Sequence, residues 1–345
     1  MSNSKQRVLF ICGSRNQTTQ LHQVARELSY VEAFFTPYYG MGVYELCREL
    51  GLLDFTIMGG HWREECLTYL NDNRLAIDVR GQAHRYDLVV TCQDLVVPEN
   101  VRNTPAILVQ EGMVDPIGLG YHLVRRAPRL PRWLASTAAT GLSNWYTKFC
   151  VASEGFRALF RSRGVDPNKM VVTGIPNFSV CDTFRHNNFP FHGYAFVCTS
   201  DARETFKLHQ RRRYLKRVRQ MAGDRQIIVK LHPNEQFERA KREVSEEMPG
   251  ALVFTSGSAE EMVANCDLLF TEWSSLALVG LALDKTVHSL FNEEELRKLV
   301  PLQTPFAASN IADVCRSVLL GESDGGAKFL QASPLRRVVR EGAAA

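Results

Sequence analysis

Apolar runs of strand length alternate along most of the chain with segments that have the apolar periodicity of helices. In the first half, predicted strands cover residues 8–13, 54–58, 87–91, 106–110, 148–152 and 169–173. In the second half, strands are predicted at 194–199, 226–231, 251–254, 267–270 and 287–290, and helices at 204–221, 235–248, 259–264 and 276–283. Short apolar strands that alternate with helices indicate parallel sheets covered on both faces.

A polar, irregular stretch separates the two series of strands and helices. The pattern therefore predicts an α/β protein with two Rossmann-like, doubly wound domains that face each other across a cleft. The predicted domains are residues 1–178, on the acceptor side, and 194–322, which bind a nucleotide sugar, with residues 179–193 as the linker. Residues 323–345 are expected to form a tail that packs back on the first domain. A chain of 345 residues is long enough for two such cores.

Composition narrows the class of protein. The chain is 45% hydrophobic and 23% charged, which is typical of soluble globular proteins. Its formal charge of +4 is small for this length and argues against a general role in binding nucleic acid. The nine cysteines are scattered without CxxC spacing, and no signal-peptide core or membrane-spanning run is present. We expect a cytoplasmic protein with reduced cysteines.

Polar residues follow two strands of the second half at the point where each strand ends. Lys230 closes one strand, His232 follows with an imidazole that can donate to a phosphate, and Pro233 ends the strand pairing. Ser274 and Ser275 lie where the other strand, residues 267–270, gives way to a helix, so hydroxyl and N–H groups can face one anion. Ligands of open parallel sheets bind at this edge, so the pattern predicts a nucleotide site.

The loop after residues 194–199 offers further polar groups to the same ligand. Thr199, Ser200 and Arg203 are candidates for contacts with the diphosphate or the sugar, and Glu272 precedes the serine pair. An ordinary capped helix start is the alternative for this loop.

Polar residues near the strand ends of the first half are expected to line the acceptor side. Neither GxGxxG nor GxxxxGK[ST] is present, so the turn with Ser14 and Arg15 is not a phosphate loop. His61, Asp94 and Asp115 complete the acceptor-side candidates, and a turn-forming role is the alternative for Asp94. His61 has no second histidine at metal-binding spacing, so neither a metal nor another cofactor is expected.

Three motifs in a fixed order resemble those of a known family. Gly174-Ile175-Pro176, then Lys230-Leu231-His232-Pro233, then Glu272-Trp273-Ser274-Ser275 are similar to the motifs of two-domain GT-B glycosyltransferases. The most similar are bacterial surface-polysaccharide enzymes with an HP motif and a paired-serine motif. These include sialyl- and polysialyltransferases, 3-deoxy-manno-octulosonate transferases and CDP-glycerol glycerophosphotransferases. The resemblance implies that His232, Ser274 and Ser275 bind the donor phosphates without a metal, with Gly174 and Pro176 also on the donor side.

The resemblance also suggests a catalytic base. Sialyltransferases of this group carry an acidic-acidic-Gly motif after a strand, and the second acid is the base. This chain has Gln110-Glu111-Gly112, so Glu111 matches the base while Gln110 departs from the motif. A helix-capping or ion-paired carboxylate is the alternative for Glu111. His232 would assist catalysis by stabilising the departing phosphate.

The implied function is a metal-independent, inverting glycosyltransferase with a nucleotide-activated donor, preferably a CMP-sugar, and a bacterial surface glycan or lipid-linked acceptor. The alternatives are a CDP-glycerol-type glycerophosphotransferase, a UDP-sugar 2-epimerase and a non-catalytic glycan- or nucleotide-binding module. Epimerases usually have Ser-Gly-Gly followed by Gln-Glu-Glu, whereas this chain has Ser274-Ser275-Leu276. The basic segment from Arg125 to Arg132, interleaved with leucine and tryptophan, suits peripheral contact with an anionic membrane.

Overall fold

The computed structural model describes residues 5–54, 56–127, 129–200 and 210–322. The chain divides into two compact units, which we call the first unit and the second unit. The first unit comprises Met1–Ser179 and Thr304–Ala345, and the second comprises Val180–Gln303. Each contains a parallel sheet with flanking helices, so the predicted α/β class is confirmed.

The first unit is built on a six-stranded parallel sheet with the strand order β2-β1-β3-β4-β5-β6. The strands are β1 (Arg7–Cys12), β2 (Glu32–Pro37), β3 (Leu88–Thr91), β4 (Ala106–Val109), β5 (Lys148–Val151) and β6 (Met170–Val172). The helices of this part are α1 (Arg15–Arg26), α2 (Val43–Glu49), α3 (Gly60–Asp72), α4 (Leu119–Arg126) and α5 (Glu154–Ser162). Short 3₁₀ segments lie at Val79–Gly81, Glu99–Val101, Arg132–Ala139, Pro167–Lys169 and Pro176–Phe178.

The central strands of this sheet are buried on both faces. Every residue of β3 and β4 is buried, which explains why they consist almost entirely of valine, leucine and isoleucine. Strand β1 pairs with β2 on one side and β3 on the other. The strand order therefore reverses between β1 and β3, and side chains at the carboxyl ends of these strands lie at a topological switch point, where open α/β sheets bind ligands.

The last described helix, α11 (Ala307–Leu319), belongs to the first unit. Ile311, Val314 and Cys315 are buried in the same core as Val8 and Leu21. The predicted second domain, residues 194–322, is therefore wrong in its last part. The apolar stripe of this helix packs against α1 and β3, so the chain returns to the first unit after Gln303. Residues 323–345, predicted to form a tail that packs back on the first domain, lie outside the described residues.

The second unit is built on a five-stranded parallel sheet with the order β11-β10-β7-β8-β9. The strands are β7 (Ala195–Cys198), β8 (Ile227–Lys230), β9 (Leu252–Phe254), β10 (Leu268–Thr271) and β11 (Thr286–His288). The helices are α6 (Arg211–Ala222), α7 (Phe237–Glu247), α8 (Ala259–Asn265), α9 (Leu276–Ala282) and α10 (Glu293–Leu299), preceded by a 3₁₀ segment at Cys181–Arg185.

The second sheet also has a switch point. The strand order reverses between β7 and β10, so the residues after β7, β8 and β10 share one edge. This edge carries Thr199, His232 and the serine pair, as the sequence predicts.

Two predicted features of the first half differ from the structure. Residues 54 and 56–58 form turns rather than the strand predicted at 54–58. Asp54 accepts a hydrogen bond from the Gly60 amide at 2.9 Å, which closes this turn just before α3. Strand β2 was not predicted, although its Phe34-Phe35 pair is typical of strands.

Candidate functional site

Glu111 lies at the switch point of the first sheet, just after β4. Its carboxylate accepts hydrogen bonds from the Ser14 hydroxyl at 2.9 Å, the Gln17 amide at 2.5 Å and the Gln93 amide at 3.5 Å. Ser14 follows β1, Gln17 lies in the first turn of α1, and Gln93 follows β3. The connections after β1 and β3 thus direct neutral donors at one carboxylate, which remains partly accessible.

Burial raises the pKa of the Glu111 carboxyl, and the hydrogen bonds from Gln17, Ser14 and Gln93 offset part of that rise. A carboxylate in this setting is a stronger base than one in water. Its donors fix the orientation of the group without supplying a cation that would lower its basicity. The arrangement favours the base interpretation of Glu111 over an ion-paired carboxylate.

The contacts of the Gln110 side chain explain why an amide, rather than a second acidic side chain, precedes Glu111. Its side chain is buried, donates to the Gly112 carbonyl at 2.8 Å and accepts from the Ala152 amide at 2.8 Å. An ionised carboxylate could accept from Ala152 but could not donate to Gly112. The amide therefore holds the turn that presents Glu111, and it does so without a second buried charge.

Asp94, predicted on the acceptor side, has a structural role instead. It is fully buried, and its carboxylate accepts from the backbone amides of Gly141 at 3.0–3.1 Å and Ser143 at 3.2 Å. Burial raises the pKa of this carboxyl, and the Gly141 amide opposes that rise. With no exposed surface, Asp94 cannot contact an acceptor in this structure.

The other acceptor-side candidates lie at the surface or in loops of the first unit. Asp115 accepts from the hydroxyls of Ser136 at 2.6 Å and Thr137 at 2.9 Å. Arg15, in the first turn of α1, is exposed and lies 3.9 Å from Glu65. His61 is exposed in the first turn of α3. Of the five predicted acceptor-side residues, only Ser14 contacts the Glu111 carboxylate.

Gly174 and Pro176 lie in the first unit, after β6, rather than in the unit with the HP and serine motifs. Gly174 has φ +74°, a conformation that favours glycine, and Pro176 begins the following 3₁₀ turn. This turn presents Asn177, whose side chain bonds Asn16 and Thr19 of α1. Sequence reasoning missed Asn177, although it directly follows the Gly-Ile-Pro motif.

In the second unit, Ser200 and Glu272 meet across the switch point. The Ser200 hydroxyl donates to the Glu272 carboxylate at 2.9 Å, joining the residues that follow β7 and β10. Glu272 is buried, and the adjacent Trp273 ring packs against Phe291 with centroids 3.9 Å apart. Arg203, which is predicted from the sequence to contact the diphosphate or the sugar, lies outside the described residues.

A buried carboxylate stabilises the HP turn, which contains His232 and Pro233. Glu235 accepts from the His232 amide at 3.0 Å and from the Thr199 hydroxyl. Its other oxygen lies 3.0 Å from Arg211, and both side chains of this ion pair are almost fully buried. Neither Glu235 nor Arg211 was predicted, because their role depends on packing beneath the turn. Pro233, the second residue of the motif, is exposed.

The His232 ring has a defined tautomer. Its Nδ1 accepts from the Asn234 amide at 3.2 Å, and a backbone amide can only donate. The neutral ring therefore carries its proton on Nε2, which is the donor that a phosphate contact needs. Lys230, in contrast, donates to the Thr255 carbonyl at 3.1 Å, and burial lowers the pKa of its ammonium. The Lys230 side chain thus hydrogen-bonds to the turn after β9, away from the side of the sheet edge where His232 lies.

The serine pair begins α9, as predicted. Ser274 accepts from the Leu276 amide at 3.2 Å, and Ser275 is the N-cap residue. Both are half-buried beyond β10. Across the described ranges there is no group of three histidine, cysteine or acidic side chains that could hold a metal ion. In the described part of the chain, no helix is long and apolar enough to cross a membrane.

Neither a protein-family model nor a curated protein sequence matches this chain. Its architecture, in contrast, is similar to that of solved structures. A protein named as a UDP-N-acetylglucosamine 2-epimerase from Listeria monocytogenes is 14% identical, with a TM-score of 0.61, over 91% of this chain and 96% of that one. S. aureus MnaA, solved with UDP, is 10% identical with a TM-score of 0.56, over 91% and 97% of the two chains.

A third similar structure is Anabaena HepE in complex with UDP and glucose, at 13% identity and a TM-score of 0.50, over 95% and 100% of the two chains. The chain has a two-domain GT-B-like fold. At these identities the likeness shows the GT-B-like fold alone. It supports the GT-B part of the predicted resemblance, and not the narrower group with HP and paired-serine motifs.

Proposed function

We propose that this chain is an enzyme that acts on a UDP-activated sugar, and that its reaction is of the 2-epimerase kind. The observation that carries the proposal is the likeness over more than nine tenths of both chains to a protein named as a UDP-N-acetylglucosamine 2-epimerase and to one solved with UDP. Because of this likeness, the proposed donor is a UDP-sugar rather than the CMP-sugar expected from the sequence. The chemistry at the two switch points is compatible with this assignment.

Inversion at C2 of a sugar needs a group that removes the C2 proton and returns one to the opposite face. If the bond from C1 to the diphosphate breaks during the reaction, the departing oxygen also needs stabilisation. We assign the proton transfer to Glu111, because its raised pKa and its fixed orientation suit a general base. Because the donors around Glu111 are neutral, no neighbouring cation would oppose protonation of its carboxylate when it takes up the C2 proton.

We assign nucleotide binding to the second unit. His232 offers an Nε2 proton, and Ser274 and Ser275 offer hydroxyls at the same sheet edge. Ser200 and Thr199 line the neighbouring strand end, although their hydroxyls already bond Glu272 and Glu235. Donors at the carboxyl ends of parallel strands are the usual means by which this class of sheet binds phosphate.

Glycosyl transfer from a UDP-sugar is the second candidate. The observation that favours it is the sequence Ser274-Ser275-Leu276, which lacks both the Ser-Gly-Gly turn and the acidic residues that usually follow it in epimerases. The same carboxylate would then take a proton from an acceptor hydroxyl rather than from C2. The two reactions therefore share a base and differ in the proton that it removes.

Calorimetric titration with UDP, CMP, CDP and GDP, without divalent metal, tests the nucleotide assignment. We expect selective binding of UDP, weakened about 10- to 150-fold in His232→Ala by loss of a charge-assisted hydrogen bond. His192→Ala, at an exposed histidine of the same unit, is the matched control. Cytidine selectivity would return the CMP-sugar assignment, and absence of nucleotide binding would refute the proposal.

Incubation with UDP-N-acetylglucosamine in D₂O, followed by proton NMR, separates the two reactions. An epimerase incorporates deuterium at C2 and forms the C2 epimer without any acceptor, whereas a transferase leaves C2 unlabelled. Glu111→Gln should lower the exchange rate by about 10²- to 10⁴-fold, as expected for loss of a general base. Glu27→Gln, at an exposed glutamate of the same unit, should exchange like the parent.

A further inference from the structure

A cavity of the first unit, away from Glu111, is rich in arginine. It has a volume of about 550 Å³ and is lined by Tyr44, Arg102, Arg129, Leu130, Arg132 and Trp145, among others. Its walls come from α2, from the loop after β3, from the stretch between α4 and the 3₁₀ segment Arg132–Ala139, and from the approach to β5. Glu111 and its donors are not among the lining residues.

The charge of this cavity is one-sided. No described lining residue has a carboxylate, and none of its three arginines makes an ion pair among the described residues. Arg132 donates through Nε to the Asp94 carbonyl at 3.2 Å, which fixes its side chain at the wall. Three guanidinium groups around one cavity repel each other, and an anion in the cavity would relieve that repulsion.

The rim of the cavity is apolar and exposed. Leu130 lines the cavity and is 36% exposed, and the next residues along the chain include Trp133, 49% exposed, and Leu134, 44% exposed. The Trp133 indole donates to the Tyr44 hydroxyl at 3.1 Å, so the tryptophan adjoins the cavity wall. Leu119 and Leu123 of α4, which packs against the 3₁₀ segment, are also exposed.

Helix α2 also has exposed apolar side chains. Among its residues none is buried, although it contributes Tyr44 to the cavity. Val43, Leu46 and Leu50 are all more than half exposed, and their spacing of three and four residues places them on one side of the helix. An amphipathic helix with an uncovered apolar stripe beside a cationic cavity is typical of surfaces that contact lipid.

We propose that this face of the first unit binds an anionic phospholipid bilayer. The cavity takes the phosphate of a lipid headgroup, held by Arg102, Arg129 and Arg132, while Leu130, Trp133 and Leu134 enter the interface between headgroups and acyl chains. Charge complementarity decides the occupant, because arginine cations without carboxylates beside exposed leucine and tryptophan match an anionic lipid. Of the four arginines expected from the sequence to contact a membrane, Arg125 instead donates to the Arg163 carbonyl at 2.6 Å.

Co-sedimentation of the full chain with vesicles tests this proposal. Vesicles of phosphatidylcholine alone are compared with vesicles that also contain phosphatidylglycerol, at constant ionic strength. We expect binding to the anionic vesicles only. Each arginine at such a surface contributes roughly fivefold, so the double variant Arg102→Gln/Arg129→Gln should bind about 20- to 30-fold more weakly.

Matched variants separate this site from general charge and general hydrophobicity. Arg85→Gln/Arg161→Gln removes two exposed arginines from elsewhere in the first unit and should lower binding less than about threefold. Leu134→Ser should weaken binding, whereas Leu320→Ser, at an exposed leucine of the same unit, should not. Equal losses in the arginine pairs would overturn the proposal.

A soluble phosphorylated compound is the other source of the same ligand chemistry. Calorimetry with inorganic phosphate and glycerol phosphate, in the absence of vesicles, distinguishes it. Tight binding of either one that depends on Arg102 and Arg129, without binding to anionic vesicles, would show a solute site and refute the membrane surface. Neither result depends on UDP binding, so this proposal and the proposed function can fail separately.

Discussion

At the scale of single residues, the two acidic side chains near the first switch point differ in the groups that bind them. Glu111 accepts from three side chains of two different connections and keeps part of its surface accessible. Asp94 accepts from backbone amides and has no accessible surface. Side-chain donors around an accessible carboxylate permit chemistry, whereas backbone donors around a buried one stabilise a loop.

The buried setting of Glu111 predicts a pH dependence of stability. Its pKa is raised on folding, so its contribution is complete below the unfolded pKa and is lost as pH rises through the folded pKa. Relative to Glu111→Gln, the parent should therefore lose unfolding free energy as pH rises from about 4, near the unfolded pKa of a glutamate, through the higher folded pKa. Urea denaturation followed by circular dichroism measures this difference, and a difference that grows in favour of the parent with pH would contradict it.

Asp94 is predicted to matter for stability. Asp94→Ala leaves the amides of Gly141 and Ser143 buried without an acceptor, which should cost about 2–4 kcal/mol of unfolding free energy. The same denaturation experiment applies, with Asp72→Ala at the exposed end of α3 as the control. Equal stability of the two variants would show that water replaces the carboxylate.

At the scale of elements, the HP turn shows that a sequence motif does not include all the residues that stabilise it. The sequence predicts that His232 follows a strand, and the structure confirms the strand β8. The groups that hold the turn, Glu235 and Arg211, have no local signature, because Arg211 comes from the start of α6 and meets Glu235 only in the folded unit. Their contact depends on tertiary packing rather than on spacing in the chain.

Loss of Arg211 should therefore unfold the second unit readily. Arg211→Ala leaves the Glu235 carboxylate buried without its cation, with an expected cost of about 3–5 kcal/mol. Arg212→Ala removes an exposed guanidinium that pairs with Glu246 and Glu247, and Lys216 remains beside Glu247, so the cost should be less than about 1 kcal/mol. Chemical denaturation compares the two variants. Adding Glu235→Gln to Arg211→Ala should recover part of the loss, and no recovery would show that the ion pair is not its origin.

The strands show where sequence patterns succeed. Strands β3, β4 and β5 are apolar runs apart from Thr91 at the end of β3 and Lys148 at the start of β5, and a run of this kind is the signal of a strand buried on both faces. Strand β2 is an edge strand that ends at Pro37, and only part of it is buried, so its pattern is weaker. Ile57 and Met58 are apolar as well, but they lie in the turn that Asp54 closes with Gly60 rather than in a strand.

At the scale of the whole molecule, the chain leaves the first unit at Ser179 and returns at Thr304. The sequence predicts two α/β halves but not the return, because the apolar stripe of α11 does not by itself indicate which core covers it. The same limit applies to the site. Strand-end positions can be predicted for Glu111 and His232, whereas Gln17, which orients Glu111, and Arg211, which pairs with the Glu235 beneath His232, come from other connections and meet them only in the folded chain.

A core substitution in α11 should therefore affect the distant N-terminal part of the chain. Ile311→Ala removes a fully buried side chain from the core that contains Val8 and Leu21, with an expected cost of about 2–4 kcal/mol. Hydrogen exchange followed by mass spectrometry should show faster exchange in Met1–Ser179 and unchanged exchange in Val180–Gln303. Val244→Ala, in the core of the second unit, should give the opposite pattern.

The distribution of the nine cysteines makes the protein convenient for site-directed spectroscopy. All nine thiols are free and eight are buried, whereas Cys47 is partly accessible on α2. A thiol-reactive, polarity-sensitive fluorophore would therefore label one position on the native chain, beside the apolar stripe of that helix. The parent sequence thus supplies its own reporter, whose emission would shift to shorter wavelength when the helix moves from water into a less polar medium.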